Sequence, residues 1–219
     1  MIDYFFILKW YLFGRLKIGR RTRKKAAFEK FNKLLSSLGK GSRVIDAGAN
    51  VGEFTKIFLD KGCTVHAFEP DPIAIIELKR RCQSADNLIL LQSAVGLKNE
   101  AKKLYRYRKF DEENPYSTQG SSLLEYRSGK NKPFVEIKVI NLIEYIKKLP
   151  KDLSLLKMDI EGSEVEILNE IINEGMHRNI DNIFVETHER FSHSLGIETA
   201  KLKLKIKKLN IRNINLDWV

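Results

Sequence analysis

A glycine-containing turn between a predicted strand and a predicted helix constrains the fold of this chain more than any other segment. Arg43-Val44-Ile45-Asp46 is a run typical of a strand, and residues 54–59 predict the helix that follows. The turn between them reads Asp46-Ala47-Gly48-Ala49-Asn50-Val51-Gly52. Glycines at such a turn let the backbone come close to a ligand. The segment therefore predicts the strand, ligand loop and helix of an α/β fold.

Further predicted strands alternate with helical stretches along the chain. They cover residues 64–68, 87–95, 153–158 and 182–185. Strands joined by helices imply right-handed crossovers, and hence a mostly parallel, Rossmann-like sheet with helices on both faces. The ligand crevice of such a sheet lies beyond the carboxyl ends of its strands. The tail predicts a helix and then a last strand at 214–219, although residues 201–207 also alternate as a strand would.

Three helix starts can be identified from capping residues. Asp71 is suited to an N-cap and Pro72 to the first helical position. Asn141 has capping-box spacing and predicts a helix that ends near residue 150. Ser163 and Glu166 repeat that spacing, so we interpret Glu166 as a capping residue and not as a catalyst.

Residues 96–150 interrupt the alternation of strands and helices, and we interpret them as an excursion over the crevice. Basic residues of this excursion favour an anionic or phosphate-bearing substrate, although charged side chains on such a loop are usually only solvated. These residues are Arg106, Arg108, Lys109, Arg127, Lys130 and Lys132.

The size and charge distribution of the chain favour one domain with a basic N-terminal extension. A chain of 219 residues with 43% hydrophobic residues suits one core better than two. Residues 1–43 hold 12 of the 39 Lys and Arg residues but only Asp3 and Glu29 of the acidic ones. We expect a helical aromatic and basic extension at 1–42 and a domain at 43–219. Cys63 and Cys82 fit reduced thiols of a cytoplasmic protein.

The apolar segment at residues 2–13 is too short to span a bilayer, which takes about 20 residues. It resembles an interfacial anchor, and we expect peripheral contact of residues 1–25 with the inner face of a membrane. The side chains expected to enter the headgroup boundary are Phe5, Phe6, Trp10, Tyr11 and Phe13. The alternative is a helical cap whose aromatic side chains pack on the domain or on a second subunit.

The glycine turn fails the dinucleotide-binding pattern G-x-G-x-x-G, because Asn50 and Glu53 stand where glycines belong. A carboxylate at Asp46 is also unfavourable beside a pyrophosphate. A cationic ligand such as S-adenosylmethionine fits better, with Asp46 at its amino-acid end. Glu69, at the end of the second strand, is placed to accept hydrogen bonds from ribose hydroxyls. The candidate cofactor residues are Asp46, Gly48, Asn50, Gly52, Glu69, Ser93 and Ala94.

Three motifs in order resemble the FkbM family of methyltransferases: residues 44–52, Phe68-Glu69-Pro70-Asp71-Pro72 and residues 156–164. Gly120-Ser121-Ser122-Leu123 and Glu186-Thr187-His188 are similar to later motifs of that family. The resemblance implies a class I methyltransferase fold, S-adenosylmethionine as donor and O-methylation of a hydroxyl on a sugar, glycan precursor or natural product. The short C-terminus leaves open whether the sheet ends in a complete closing hairpin.

Methylation of a hydroxyl needs a base at the crevice. Candidates are Asp159, Glu161 and His188, with Asp159 and His188 ranked first and Glu186 placed to orient the imidazole. In the alternative arrangement, Asp159, Glu161 and Glu186 bind a divalent metal ion that acidifies the hydroxyl.

The sequence is also compatible with two other functions. One is an RNA or DNA methyltransferase that uses the basic arm, and the other is a non-catalytic module of the same fold that binds a membrane or a partner. Met158-Asp159-Ile160-Glu161 stands where a nucleic-acid enzyme would carry a base-stacking tetrapeptide such as Asn-Pro-Pro-Tyr. We therefore regard nucleic acid as the less favoured acceptor.

Overall fold

The computed structural model describes residues 2–83, 85–107, 109–124, 133–150 and 152–218. Its strands are β1 (Arg43–Ala47), β2 (Thr64–Phe68), β3 (Leu88–Leu91), β4 (Ala94–Gly96), β5 (Glu100–Tyr105), β6 (Phe134–Asn141), β7 (Leu153–Met158), β8 (Ile180–Val185) and β9 (Ile214–Asn215). Its α-helices are α1 (Ile2–Arg15), α2 (Arg20–Ser37), α3 (Glu53–Asp60), α4 (Pro72–Cys82), α5 (Leu142–Lys148), α6 (Glu164–Asn173) and α7 (His193–Lys208).

Six of the strands form one sheet in the order β3-β2-β1-β7-β8-β9, and each neighbouring pair in it is parallel. Alternate residues of a strand point to opposite faces of a sheet. Val44 and Ile45 of β1 accordingly enter separate cores, one packed with α2, α3 and α4 and the other with α5, α6 and α7. The α/β fold with a mostly parallel sheet and helices on both faces is thus confirmed.

The chain winds in opposite directions from the centre of this sheet. From β1 it proceeds outward through β2 to β3, and from β7 it proceeds outward through β8 to β9. Such a reversal opens a crevice at the carboxyl ends of the two central strands. The fold therefore places a ligand site between the turn after β1 and the turn after β7.

The single strand predicted at 87–95 is wrong, because the structure divides it between two sheets. The main-chain N–H of Ser93 donates to the carbonyl of Leu91, so the chain turns out of the large sheet at this point. β4 then pairs in parallel with β6, and β6 pairs antiparallel with β5, in a three-stranded second sheet. The excursion expected at 96–150 thus contains a small sheet of its own.

The structure confirms some of the other predicted boundaries of helices and strands and contradicts others. Asp71 accepts from the N–H of Ile73 and Asn141 accepts from two N–H groups of α5, so both predicted N-caps are confirmed. The Ser163 side chain makes no capping hydrogen bond, so the second capping box is wrong. The predicted last strand is shorter than expected, since Asp217 leaves β9 to form an antiparallel bridge with Glu186. Within the described residues, β9 is the edge of the sheet, without a closing hairpin.

Helix α2 is part of the core and not a detached extension. Phe31 is 1% exposed and packs edge-on against Phe54, Phe58 and Phe184, with Trp218 beside it. Aromatic contacts of this kind add to the free energy gained by burying the rings. The expected division of the chain after residue 42 therefore does not coincide with a break in packing.

Replacing Phe31 by alanine should lower the free energy of unfolding by about 3–5 kcal/mol, because the buried ring is lost and a cavity remains. Phe28→Ala is the matched control, since this side chain of the same helix is 51% exposed and its loss should change stability by about 0.5 kcal/mol or less. Chemical denaturation followed by circular dichroism measures both. Equal effects would contradict the core role of α2.

Candidate active site

The glycine turn after β1 lies directly against the turn after β7. Gly48 has φ +78°, and a Cβ atom on it would lie 1.9 Å from the carbonyl oxygen of Asp159. Gly52 has φ +80°, and a Cβ there would lie 2.9 Å from Leu78. Only glycine fits the first position without displacing backbone. The requirement for glycine at Gly48 thus comes from close contact between the two central turns.

A cavity of about 350 Å³ opens at the carboxyl ends of the central strands, where the strand order reverses. Most of the predicted site residues line it. They are Gly48, Asn50, Glu69, Ser93, Ala94, Asp159, Glu161 and Glu186. Asp46 and His188 lie behind its wall, 0% and 3% exposed, and Gly52 packs toward α4.

Asp46 is held inside the protein by two partners. Its Oδ2 accepts from Thr55 Oγ1 at 2.7 Å, and its Oδ1 lies 2.9 Å from Nζ of Lys157. Lys157 Nζ also donates to the carbonyl oxygen of Gly48 at 2.7 Å. Burial alone would lower the pKa of Lys157, but Asp46 and Asp159 raise it, so the ammonium stays charged. Asp46 therefore shapes the turn through Lys157 and does not face the cavity.

Glu69 forms one end of the cavity wall. Its two carboxylate oxygens accept from the N–H groups of Asn50 and Asp71, each at 2.8 Å. Burial raises the pKa of Glu69 to about 8, against the opposing effects of the Asn50 N–H and the Lys157 ammonium. The two oxygens keep further lone pairs with which to accept from a ligand.

Part of the excursion forms a roof over this cavity, made of Thr118, Gln119, Gly120, Ser121 and Leu123. Asn50 Nδ2 donates to Thr118 Oγ1 at 3.0 Å, which joins the roof to the glycine turn. Ser122 Oγ donates to the carbonyl oxygen of Glu161 at 2.7 Å, which joins it to the turn after β7. The roof therefore closes over both halves of the site.

Only two of the six basic residues expected to favour an anionic substrate belong to the described part of the chain, and neither of them lines the cavity. Arg106 is buried in an ion pair with Asp71, and its guanidinium lies over the ring of Phe110. Lys109 is exposed to solvent. The other four basic residues, Arg108, Arg127, Lys130 and Lys132, lie outside the described residues.

Carboxylates hold both ring nitrogens of His188. Nδ1 lies 2.8 Å from Oε1 of Glu164, and Nε2 lies 3.1 Å from Oε2 of Glu161 and 3.8 Å from Oδ1 of Asp159. Although burial lowers its pKa, the hydrogen bonds with Glu161 and Glu164 raise the pKa of His188 to about 10. A doubly protonated imidazole has no lone pair with which to accept a proton. This arrangement argues against His188 as the base and for His188 as the cation that holds the acidic groups together.

The acidic residues on the cavity side have raised pKa values. Burial and the charge of Asp159 raise the pKa of Glu186 to about 7. Burial, followed by the charge of Glu161, raises the pKa of Asp159. Glu161 takes a left-handed conformation with φ +62°, a strained geometry that is often found at functional sites. Glu164 and Glu161, and not Glu186 as expected, hold the imidazole.

Sequence reasoning missed two residues of this site, Lys157 and Glu164. Lys157 stands inside an apolar strand, where an isolated lysine signals a buried ion pair. Glu164 is 1% exposed and accepts from the N–H groups of Ile160 and Gly162 while it holds His188. The position of Glu164 directly after the predicted N-cap Ser163 was a signal for a role at the start of this helix, but the capping-box spacing favoured Glu166.

Ligand atoms of Asp159, Glu161 and His188 lie within 4.8 Å of one another. Glu164 fixes Nδ1 of His188 and leaves Nε2 directed at the two carboxylates. A carboxylate behind a histidine is the usual support of a metal-binding imidazole. The cluster thus has the donor types and the spacing of a divalent metal site.

Comparison with known proteins now decides the family. The family model described as the methyltransferase FkbM domain matches residues 46–203. The chain belongs to the FkbM methyltransferase family. A curated relative from Beauveria bassiana (strain ARSEF 2860), named Methyltransferase 1, is 26% identical over 193 residues, which cover 81% of this chain and 76% of the relative. The matched FkbM region contains every candidate site residue, whereas α1 and α2 precede it.

Lys157→Met should lower the free energy of unfolding of this FkbM-family methyltransferase by about 3–5 kcal/mol, because Asp46 would remain buried and unpaired. Lys56→Met is the matched control, since its ion pair with Asp60 is exposed and should contribute about 1 kcal/mol or less. Denaturant titration of both variants gives the comparison. A stability loss no larger than that of Lys56→Met would refute the role of Lys157.

Proposed function

We propose that this protein is an S-adenosylmethionine-dependent O-methyltransferase that acts on a hydroxyl of a sugar, glycan precursor or natural product. The observation that carries the proposal is one cavity with two different ends. Glu69 lies at one end, where its carboxylate is suited to accept hydrogen bonds from a ribose, and the carboxylates of Asp159 and Glu186 lie at the other. Membership in the FkbM family supports the reaction class.

The cofactor end of the cavity fits S-adenosylmethionine residue by residue. The backbone at Gly48, Ala49 and Asn50 would hold the amino-acid portion, and Glu69 would accept from the ribose hydroxyls. Ser93 and Ala94 would lie beside the adenine, and the buried Ser93 Oγ has no hydrogen-bond partner among the described residues. A buried hydroxyl without a partner is favoured once a ligand atom supplies one. Asp46 takes an indirect role here, through Lys157.

The acceptor end supplies positioning and a base. Bound S-adenosylmethionine would supply an electrophilic methyl group on a positively charged sulfur. Asp159 and Glu186 line the cavity and are placed to take the proton of an acceptor hydroxyl, whereas both nitrogens of His188 are engaged. The roof at Thr118–Ser121 limits the access of water, so that donor and acceptor are aligned away from solvent.

A divalent metal ion is the second candidate for activation of the hydroxyl. It is favoured by the convergence of Asp159, Glu161 and His188, and Glu186 lies in the same cavity wall. In this arrangement His188 is neutral, and its Nδ1–H donates to Glu164. Activity that is lost in chelator and restored by Mg²⁺ or Mn²⁺ would select the metal, and full activity in chelator would select a carboxylate base.

The carboxylates at the acceptor end also bear on the alternative functions. Asp159, Glu161 and Glu186 would repel a phosphate backbone, so a nucleic-acid acceptor fits this site less well than a neutral hydroxyl. A non-catalytic module has no need of the supported cluster of Asp159, Glu161, Glu164 and His188. We place the enzyme in the cytoplasm, in keeping with the free thiols of Cys63 and Cys82.

Binding of 5′-methylthioadenosine, which keeps the ribose and lacks the amino acid, should weaken as the pH falls. Because ribose hydroxyls bind the carboxylate form of Glu69, whose pKa is about 8, the affinity should drop by up to about tenfold per unit between about pH 8 and pH 6. Calorimetric titration measures this dependence. Glu69→Gln should bind weakly at every pH, whereas Glu100→Gln, an exposed control on β5, should follow the wild type.

Asp159→Asn should reduce methyl transfer by about a hundredfold or more, because the acceptor hydroxyl loses its base or its metal ligand. The assay measures transfer of a labelled methyl group from S-adenosylmethionine to a panel of sugars and glycan extracts. Affinity for S-adenosylhomocysteine should stay unchanged. Asp152→Asn, at the opposite end of β7 and exposed, is the control that should keep full activity. Full activity of Asp159→Asn would remove this residue from the mechanism.

A further inference from the structure

Helix α1 packs on the domain through one of its faces. Trp10 lies under Nζ of Lys203 at 4.4 Å, and Phe6 lies under Nζ of Lys207 at 4.9 Å, both on α7. The hydroxyl of Tyr11 hydrogen-bonds His193 at the start of the same helix. Three of the five aromatic residues expected to enter lipid, Phe6, Trp10 and Tyr11, are therefore engaged by the domain itself.

The opposite face of α1 is apolar and exposed. Tyr4, Leu8 and Leu12 follow one another at intervals of four residues, and Phe5 lies beside them on the same side of the helix. Tyr4 and Phe5 are 68% and 61% exposed, and Leu16, one helical turn beyond Leu12, is 65% exposed. Contiguous exposed apolar surface of this kind marks a docking surface. We call these five side chains the apolar stripe.

Exposed cations follow the apolar stripe in the chain. Lys17, Arg21 and Lys25 are exposed, and they belong to a segment, residues 1–43, whose 12 basic residues face only two acidic ones. One of those acidic residues, Asp3, is already paired with Lys208. An apolar helix face next to exposed cations is the combination that binds the surface of anionic membranes.

We propose that the apolar stripe and the cations that follow it form a docking surface for an anionic lipid bilayer. A second copy of this chain is the less favourable occupant, because dimerisation through this surface would bring two strongly basic segments together. Among the described residues, no helix has both the length and the apolar character needed to cross a bilayer. With the apolar stripe toward the lipid, helix α1 would lie in the plane of the interface.

The N-terminal segment that carries the docking surface also contacts the acceptor end of the cavity, through other residues. Gly14, at the end of α1, lies so close to Glu189 that an added Cβ would be 2.6 Å from its side chain. Arg20 and Lys24 of α2 line a small depression together with Glu186 and Glu189. Glu186 also lines the main cavity. Glu186 thus lies both at the acceptor end and next to the N-terminal segment that carries the docking surface.

This neighbourhood points to an acceptor held at the membrane surface, such as a lipid-linked sugar whose hydroxyls project from the headgroups. This step rests on the proposed function, whereas the docking itself does not. A soluble sugar and a lipid-linked sugar offer the same hydroxyl chemistry. Vesicles should accelerate methyl transfer to a lipid-linked sugar and should leave methyl transfer to a soluble sugar unchanged.

Sedimentation with vesicles tests the docking surface. The full chain should pellet with phosphatidylcholine vesicles that contain phosphatidylglycerol, and less with phosphatidylcholine alone or at high salt. Leu8→Glu and Leu12→Glu should each weaken partition into the vesicles by about tenfold or more. Each removes a leucine side chain that would be buried in the lipid. Ile76→Glu on α4 is the matched control, since this side chain is 68% exposed outside the stripe and its replacement should change nothing.

The outcomes separate docking from catalysis. Glu69→Gln should pellet like the wild type, and Leu8→Glu should bind 5′-methylthioadenosine like the wild type, so either proposal can fail without the other. Absence of pelleting, or pelleting equal for Leu8→Glu and Ile76→Glu, would overturn the docking surface. Light scattering that shows a dimer abolished by Leu8→Glu, without lipid binding, would assign the stripe to self-association.

Discussion

The buried ammonium of Lys157 joins the two central strands at the point where the sheet reverses. It lies between the carboxylate of Asp46 and the carbonyl oxygen of Gly48, so it satisfies a charge and a main-chain acceptor at once. A charge buried without a partner is very costly, whereas a paired and hydrogen-bonded one is tolerated. The shape of the glycine turn depends on this pairing, and so does the position of the turn after β7.

His188 is buried beneath the acceptor end and, when protonated, holds the carboxylates there as Lys157 holds Asp46. Glu161 and Glu164 occupy its two nitrogens, and Asp159 stands at 3.8 Å. Lys157 beneath the donor end and protonated His188 beneath the acceptor end thus each lie within a group of carboxylates. This division explains why the acidic residues on the cavity side can remain close together without separating the strands that present them.

Much of the fold could be predicted from local signals. Apolar periodicity located β2 and β7, and the capping residues Asp71 and Asn141 marked the starts of α4 and α5. The break between β3 and β4 was missed, because residues 87–95 contain no proline or glycine before Gly96 and the turn at Ser93 arises from tertiary pairing with β6. Strand periodicity cannot report which sheet a strand joins.

For the candidate site, the sequence predicted which residues take part better than it predicted what each residue does. The residues that line the cavity follow strand ends, which is a topological rule and can be applied to a sequence. The roles of Asp46 and His188 depend on partners distant in the chain, Lys157 for the one and Glu164 for the other. The two faces of α1 could not be separated either, because apolar residues surround this helix and only its contact with α7 distinguishes them.

The contact of Gly48 with the carbonyl of Asp159 bears on how such an enzyme can evolve. Because the donor turn and the start of the acceptor turn touch through backbone, selection cannot shift one without shifting the other. The roof is different, since it meets the two turns through side chains, with Thr118 on Asn50 and Ser122 on the Glu161 carbonyl. Insertions and substitutions in the roof can therefore diversify the acceptors of a lineage while the donor half stays unchanged.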